Sequence, residues 1–284
     1  MQPVRIVAVR YLNTVPLIEG LARVDGVSLT LASPSHIGPM VASGEADIGL
    51  VSLIDGAAMG LTALPVGMIG CDGPTLTVRL YSTVPLDRIT RVCADSESRT
   101  SVVLCRVLLE RLHGVKAEMV EFDAREKVVV SGGRAGAGGA DEWPEAMVLI
   151  GDKVVTDSPP AVRYPHQMDL GEAWKTLTGL PFVYATWMCR TQEVRNERVR
   201  VGALLIDRQL RHNLTRLDWI VNRRAPEHRW PEDLARKYLC QCLRFVVGEK
   251  ERAAAAAFLD EARRVGANVR AGLAWATDDL AAAR

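Results

Sequence analysis

This chain lacks a dominant charge: 35 Lys and Arg stand against 34 Asp and Glu, a net charge of +1. No long-range field therefore draws it to nucleic acid or to a membrane surface, and any anion it binds has to be recognised locally. Long apolar runs are missing near its start. Ile6 to Val9 ends before it reaches the length of a signal-peptide core or a spanning helix, so a cytoplasmic location is expected. Paired cysteine motifs are missing as well. Cys71, Cys93, Cys105, Cys189, Cys240 and Cys242 are scattered in apolar surroundings with no CxxC, which suits buried reduced thiols better than a disulfide frame or a zinc site. Cys240 and Cys242 lie two apart on a predicted helix and so point to different faces. The five histidines form neither HxxxH nor HExxH, so no metal is expected.

What is present is enough apolar residue, 48% of 284, for one large α/β domain or two of ordinary size. Short apolar runs alternate with helix-like stretches over the first ninety residues, with strands expected at Ile6–Val9, Val27–Leu31, Ile48–Val51, Leu64–Ile69 and Leu76–Tyr81. That alternation predicts a mainly parallel sheet covered by helices. Ser35 is placed to cap the helix after the second strand and Gly44 to end it. The pattern then restarts: a strand at Ile89–Ala94, a polar turn Asp95–Ser101, a helix from Val102 to His113 closed by Gly114, and strands at Ala117–Glu121, Met147–Ile150 and Phe182–Trp187. The glycine-rich segment Ser131–Gly139 reads as a flexible surface excursion rather than a phosphate cradle. After Arg190 the chain reads as helical, over Val194–Val221, Glu232–Val247 and Glu249–Val265. Val199, Ala203, Ile206, Leu210 and Leu214 recur at spacings of three and four, the mark of a face laid on a core.

The stretch VRYLNTVPL, Val9 to Leu17, is the most informative. Its apolar run gives way to Asn13 and Thr14, and Pro16 suits the first turn of a helix because its missing N–H would have no partner there. Tyr11, Asn13 and Thr14 therefore sit on a strand-to-helix turn, where an α/β sheet presents polar side chains and helix N–H groups to a ligand. A plain capping turn with no ligand accounts for the same residues. Two restarted α/β patterns with a helical C-terminal third fit the type II periplasmic-binding-protein architecture, although composition alone does not choose it over a single wide sheet. Residues 1–88 and 189–284 are expected to form a discontinuous first lobe carrying the C-terminal helices, with 89–188 as the second lobe and two crossing segments as the hinge.

Five blocks in order, YLNTVPLIEGL, GEADIGLVSLID, DSESRTSVVLCRVLL, LIGDKVV and DLGEAWKTLTGLPFVYATW, resemble the chorismate dehydratases of the futalosine route to menaquinone. The resemblance runs from residue 4 to residue 190. It implies a cofactor-free cytosolic lyase of the type II binding-protein fold that removes water from chorismate to give 3-[(1-carboxyvinyl)oxy]benzoate.

Chorismate carries two carboxylates and a hydroxyl, so a competent cleft has to neutralise two negative groups without a basic surface. Ser98, Thr100 and Ser101 stand where Asp95–Ser101 turns into a helix and offer hydroxyls beside its first N–H groups, and Arg99 shares that turn. One such turn is too little, since a charge-assisted hydrogen bond is worth about 1.5–3 kcal/mol and association costs on the order of 4–15 kcal/mol. Asn13, Thr14, Ser52 at the end of the third strand and Thr77 are the expected donors from the other lobe. Gly151 is expected to bring its N–H to a ligand oxygen. Asp152 is expected to cap the next segment or orient a donor, and Asp55 to act behind the site. Asn13 is the candidate catalytic residue, positioning the leaving hydroxyl or the substrate's own enolpyruvyl carboxylate, which is expected to take the proton. No His or Glu is expected in the matched loops except His36, which follows SPS and reads as structural. Arg10 and Ser52 depart from the residues common in the family. A non-catalytic carboxylate-binding protein, a LysR-type effector domain and the sister 1,4-dihydroxy-6-naphthoate synthase are the rival readings.

Overall fold

The computed structural model describes residues 2–95, 97, 99–122, 143–270 and 272–277. Ser98 and the glycine-rich segment 131–139, both singled out above, lie outside the described residues. Twelve strands are described: β1 Val4–Ala8, β2 Val27–Leu31, β3 Ile48–Ser52, β4 Thr62–Cys71, β5 Val78–Ser82, β6 Arg91–Asp95, β7 Glu118–Phe122, β8 Ala146–Ile150, β9 His166–Asp169, β10 Phe182–Cys189, β11 Leu243–Arg244 and β12 Ala274–Trp275. They form two sheets. One runs β11-β4-β10-β3-β1-β2 with β12 also on β4, and the other runs β7-β6-β8-β5-β9. β1 is parallel to β2 and β3, and β6 to β7 and β8, whereas β10 and β5 run antiparallel to their neighbours. The inner strands β3 and β8 are covered on both faces and are almost continuously apolar and buried, whereas the edge strand β2 is not.

Helix α1 (Val15–Ile18) carries Pro16 in its first turn, as its sequence requires. Helix α2 (Pro34–Ser43) starts two residues earlier than expected: Ser33, not Ser35, is the N-cap, because Pro34 takes the first helical place. Gly44 ends it at φ 84°, a left-handed cap that glycine adopts without a Cβ penalty. Helix α3 (Leu53–Met59) follows β3 directly, and α4 (Arg99–His113) begins three residues before the expected Val102. Helix α5 (Lys153–Thr156) follows β8, and α6 (Leu170–Thr178) follows β9.

The predicted helix Val194–Val221 is two helices, α7 (Glu197–Leu214) and α8 (Leu217–Arg224). At the break, the buried amide of Asn213 donates to the carbonyls of Pro16 and Glu19 at 3.1 and 2.9 Å, tying the helix end to α1 instead of letting it run on. Val199, Ala203, Ile206 and Leu210 are buried as their spacing predicts. The predicted helix Glu232–Val247 is shorter still. Helix α9 (Glu232–Lys237) widens into a π-type turn, Tyr238–Cys242, and the chain then joins the first sheet as β11. Helix α10 (Glu249–Arg264) matches its expected span closely. Burial pushes the thiols of Cys71, Cys105 and Cys189 up to about 12, whereas Cys240 is exposed, contrary to the expectation that all six thiols are buried. No helix among the described residues is long and apolar enough to cross a membrane.

Sheet membership differs from the expected boundaries at 88 and 188. β5 pairs with β8 and β9 in the second sheet, and β10 pairs with β3 and β4 in the first. The chain therefore crosses between sheets at residues 72–77 and again through α6, residues 170–181. The crossings are adjacent because Phe182, the first residue of β10, pairs with Cys71, the last of β4. Asp169 binds them together. Its carboxylate accepts the N–H groups of Thr75 (2.9 Å) and Leu76 (2.7 Å) on one crossing and of Gly171 (3.0 Å) and Glu172 (3.1 Å) on the other.

Candidate functional site

Where the two sheets face each other they enclose a cavity of about 640 Å³, counting its mouth. Both sides of the fold line it. From the first sheet come Tyr11, Asn13, Ser52 and Tyr184, and from the second sheet and its crossing come Thr75, Thr77, Ser101 and Gly151. Strand ends and helix starts meet here, the place where an open α/β sheet exposes polar groups.

Asn13 lies in a single tight turn, Leu12–Thr14, between β1 and α1. Its Oδ1 accepts the Thr14 hydroxyl at 3.1 Å, and Thr14 itself is fully buried beneath the turn and does not line the cavity. Ser52 caps α3: its Oγ accepts the Asp55 N–H at 3.2 Å and donates to the Asp55 carboxylate at 2.7 Å. Asp55 is buried behind it and also holds Arg99 at 2.9 Å, the supporting position expected of it. Ser101 is buried and on the cavity wall, whereas Thr100 points away and accepts the Ile54 N–H at 3.1 Å, joining α4 to α3 across the two sheets.

Gly151 departs from the role expected of it, and Asp152 departs from one of its two, the cap. The Gly151 N–H donates to the Thr77 carbonyl at 2.9 Å, so it is not directed at a ligand. Glycine is needed there because φ is 65° and a Cβ would lie 3.2 Å from the Tyr11 ring. Asp152 does not cap α5 with its side chain and does not line this cavity. Its carboxylate accepts the Leu12 N–H at 3.2 Å and meets His228 Nδ1 at 2.8 Å, so it pins the Asn13 turn from the opposite sheet. His36 contacts Ser33 and stays outside the cavity.

Four cavity residues escaped the sequence reading. Glu97 sits inside the quoted DSESRTS block, contrary to the expectation that no glutamate lies in the matched loops. It is buried, accepts the Tyr11 hydroxyl, and holds Lys153 Nζ at 3.2 Å. Thr75 and Tyr184 share a hydroxyl contact of 2.9 Å, with Thr75 Oγ1 also donating to Cys71 Sγ at 2.9 Å. Tyr184 lies in the quoted FVYATW block. Tyr238, 161 residues from the Thr77 hydroxyl it meets at 2.6 Å, carries no local signal of a site role.

Electrostatically the cavity works through neutral donors. Burial raises both the Tyr184 and Tyr238 hydroxyls above the usual tyrosine value, so they remain protonated at neutral pH. None of the cavity's described lining residues is Arg or Lys, and Glu97 is the carboxylate on its wall. The cations stand outside it. A second cavity shares Tyr11, Pro34 and Glu97 and is lined further by Arg10, Lys153 and Arg229. The arrangement suits a small polar molecule whose oxygens accept hydrogen bonds within and whose charge is attracted from the mouth.

A family model described as menaquinone biosynthesis matches residues 4–264. The chorismate dehydratase of Thermus thermophilus is 28% identical over 212 residues, 68% of this chain and 72% of that protein. A protein of known structure from Bordetella bronchiseptica has a TM-score of 0.64 at 15% identity, covering 99% of this chain and 96% of its own. A Candida albicans gene product, described as having the generic periplasmic binding protein fold, has a TM-score of 0.57 at 10% identity, covering 99% of this chain and 100% of its own. These structural likenesses are of fold, and with the two sheets they make this a mixed α/β chain of the periplasmic-binding-protein kind.

Proposed function

The chain belongs to the menaquinone biosynthesis family, and from that premise we propose that it removes water from chorismate to form 3-[(1-carboxyvinyl)oxy]benzoate. The observation that carries the reading is the cavity wall, where Asn13, Ser52, Thr77 and Ser101 bring amide and hydroxyl groups from both sheets to one enclosed space. Such groups recognise carboxylates without a basic surface, as the net charge of +1 requires.

Loss of water across C3 and C4 aromatises the ring, so the product side is downhill and the enzyme's task is to remove the C3 proton. The ring carboxylate acidifies that proton because charge left at C3 spreads through C1=C2 into it. Donors on that carboxylate stabilise the developing dienolate more than the ground state. The substrate's enolpyruvyl carboxylate takes the proton, and Asn13 positions that carboxylate or the departing hydroxyl. Glu97, an acceptor on the wall, suits the C4 hydroxyl. The step moves a proton and a hydroxide with no net redox change, so it needs no electron-transferring group. The two halves close on the substrate about the crossings at 72–77 and 170–181 and exclude water.

The test is incubation with chorismate, followed by ultraviolet absorbance and chromatography for an aromatic product. Wild-type turnover is expected, with Asn13→Ala lowering kcat roughly a hundredfold, the scale of removing one donor at a developing charge. Chorismate binding without turnover makes the protein a carboxylate binder, and turnover of the cyclic futalosine derivative makes it the sister enzyme. Unchanged turnover in Asn13→Ala removes that residue from the mechanism.

A further inference from the structure

Glu97 is a buried carboxylate on the wall of a cavity whose other described lining residues are all uncharged. An acid in that position decides which ligand groups can lie against it. Its neighbours fix its polarity. The Tyr11 hydroxyl donates to Glu97 Oε2, and Lys153 Nζ reaches the same oxygen at 3.2 Å. An ammonium has donors and no acceptor, so at this contact Glu97 can only accept. The side chains of Lys153 and Glu97 are 12% and 6% exposed, which keeps the pair out of reach of most solvent screening.

The fold sets which end of the pair the ligand meets. Tyr11 follows β1 in the first sheet, Glu97 lies in the turn between β6 and α4, and Lys153 begins α5. The Tyr11 ring rests against Gly151, where a Cβ would stand 3.2 Å from it. Glu97 lines both the inner cavity and the outer one, whereas Lys153 lines the outer one and not the inner. The inner cavity therefore meets the carboxylate and not the ammonium. A carboxylate accepts about four hydrogen bonds, more than the two that Tyr11 and Lys153 make. A ligand hydroxyl against Glu97 gains a charge-assisted bond, roughly twice as strong as a neutral one. A ligand carboxylate, ether oxygen or halogen there sets acceptor against acceptor.

We infer that Glu97 is a specificity-determining residue that reads a hydroxyl on the ligand and so fixes which end of an anionic ring faces it. The inference deepens the dehydratase reading and rests on it for the identity of the ligand. The C4 hydroxyl is the one donor that ionised chorismate carries, so both carboxylates are turned away from Glu97 and the ring enters in one orientation. Dehydration removes that hydroxyl. The product leaves Glu97 facing a ring C–H, and this wall holds substrate more tightly than product.

The experiment uses the full chain and two benzoates of similar size. In 4-hydroxybenzoate the hydroxyl lies across the ring from the carboxylate, as in chorismate, and 4-fluorobenzoate has an acceptor in its place. Their dissociation constants are measured by calorimetry for wild type and Glu97→Gln, with chorismate turnover of the wild type recorded separately. Wild type is expected to prefer 4-hydroxybenzoate by roughly tenfold or more, the scale of a hydrogen bond to a charged group. In Glu97→Gln the ratio is expected to fall to about threefold, because a neutral acceptor supplies about half of that bond. A merely structural loss weakens both probes together, and an unchanged ratio in the variant overturns the inference. Should Glu97→Gln fail to fold, Glu97→Asp takes its place: the charge stays, the oxygens withdraw by one methylene, and an unchanged ratio overturns the inference there too. A wild type without the preference, or one that binds neither probe, overturns it outright. Chorismate turnover without the preference leaves the proposed reaction standing and removes Glu97 from substrate selection. The preference without turnover counts against the reaction and leaves the role of Glu97 in place.

Discussion

Asp169 offers the sharpest test of how this fold is held together. Its side chain is 3% exposed and accepts four backbone N–H groups, with Arg79 3.6 Å away. Asp169→Ala removes the N-cap of α6, worth about 1 kcal/mol, and leaves the Thr75 and Leu76 N–H groups without their acceptor at about 1–3 kcal/mol each. The expected loss is therefore roughly 3–5 kcal/mol once some water reaches the freed groups. Leu76 enlarges the effect on the site. It holds φ at 70°, a left-handed conformation costing about 1–2 kcal/mol for a residue with a Cβ, and Asp169 Oδ2 is what grips its N–H. Freed, Leu76 relaxes and carries the neighbouring Thr77 off the cavity wall. Asp169→Asn separates the contributions. With its carbonyl oxygen in the place of Oδ1 it keeps three of the bonds and loses the Leu76 and Arg79 contacts, an expected cost of about 1–3 kcal/mol. Urea unfolding of the three proteins reads both values, with the slope against denaturant checked for change. An Asp169→Ala protein within 1 kcal/mol of wild type, the scale of a lone surface contact, refutes the claim that this carboxylate clamps the crossings.

Gly151→Ala is expected to cost about 1 kcal/mol from its φ of 65° and to push the Tyr11 ring, 3.2 Å from the new Cβ, against the cavity. Thermal melting paired with titration of 3-hydroxybenzoate checks it, and unaltered affinity would contradict the placement of Tyr11. Asp47 yields a pH prediction. Burial alone would raise its pKa, but hydrogen bonds from Arg5 and the charges of Arg5 and Arg198 outweigh that and hold it below the usual 3.8. Because the folded value is the lower one, the pair stabilises the protein above about pH 4 and the contribution disappears as pH falls through the folded pKa. Asp47→Asn should cost about 1 kcal/mol or less at pH 7, Arg5 being 43% exposed, and the gap to wild type should close on acidification. A gap of constant size between pH 7 and pH 2.5 would show that the ion pair is not its source.

Much of the site was legible because its residues follow strand ends, and strand ends announce themselves locally. Asn13 precedes a proline-started helix, Ser52 closes an apolar run, and Ser101 stands in the first turn of an amphipathic helix that follows a polar stretch. Thr14 and Thr100 share those turns but face the interior, since neighbours on a tight turn or a helix point in different directions. Glu97 had a sequence signal, a carboxylate in a matched loop, that went unused. Tyr238 had none: its role comes from a widened turn after α9 that returns the chain to the edge of β4.

The amino-acid sequence by itself determined most of the longer elements and their kind, because caps, prolines, left-handed glycines and apolar periodicity act over a few residues. Gly44, Gly114 and Pro16 mark boundaries that hold whatever the rest of the chain does. Only the tertiary structure decided which sheet received β5 and β10, that α7 ends at Leu214, and that the phenol of Tyr238 meets Thr77. Those outcomes depend on pairings between segments far apart in the chain, where hydrogen-bond satisfaction and burial choose among alternatives that local sequence leaves equal.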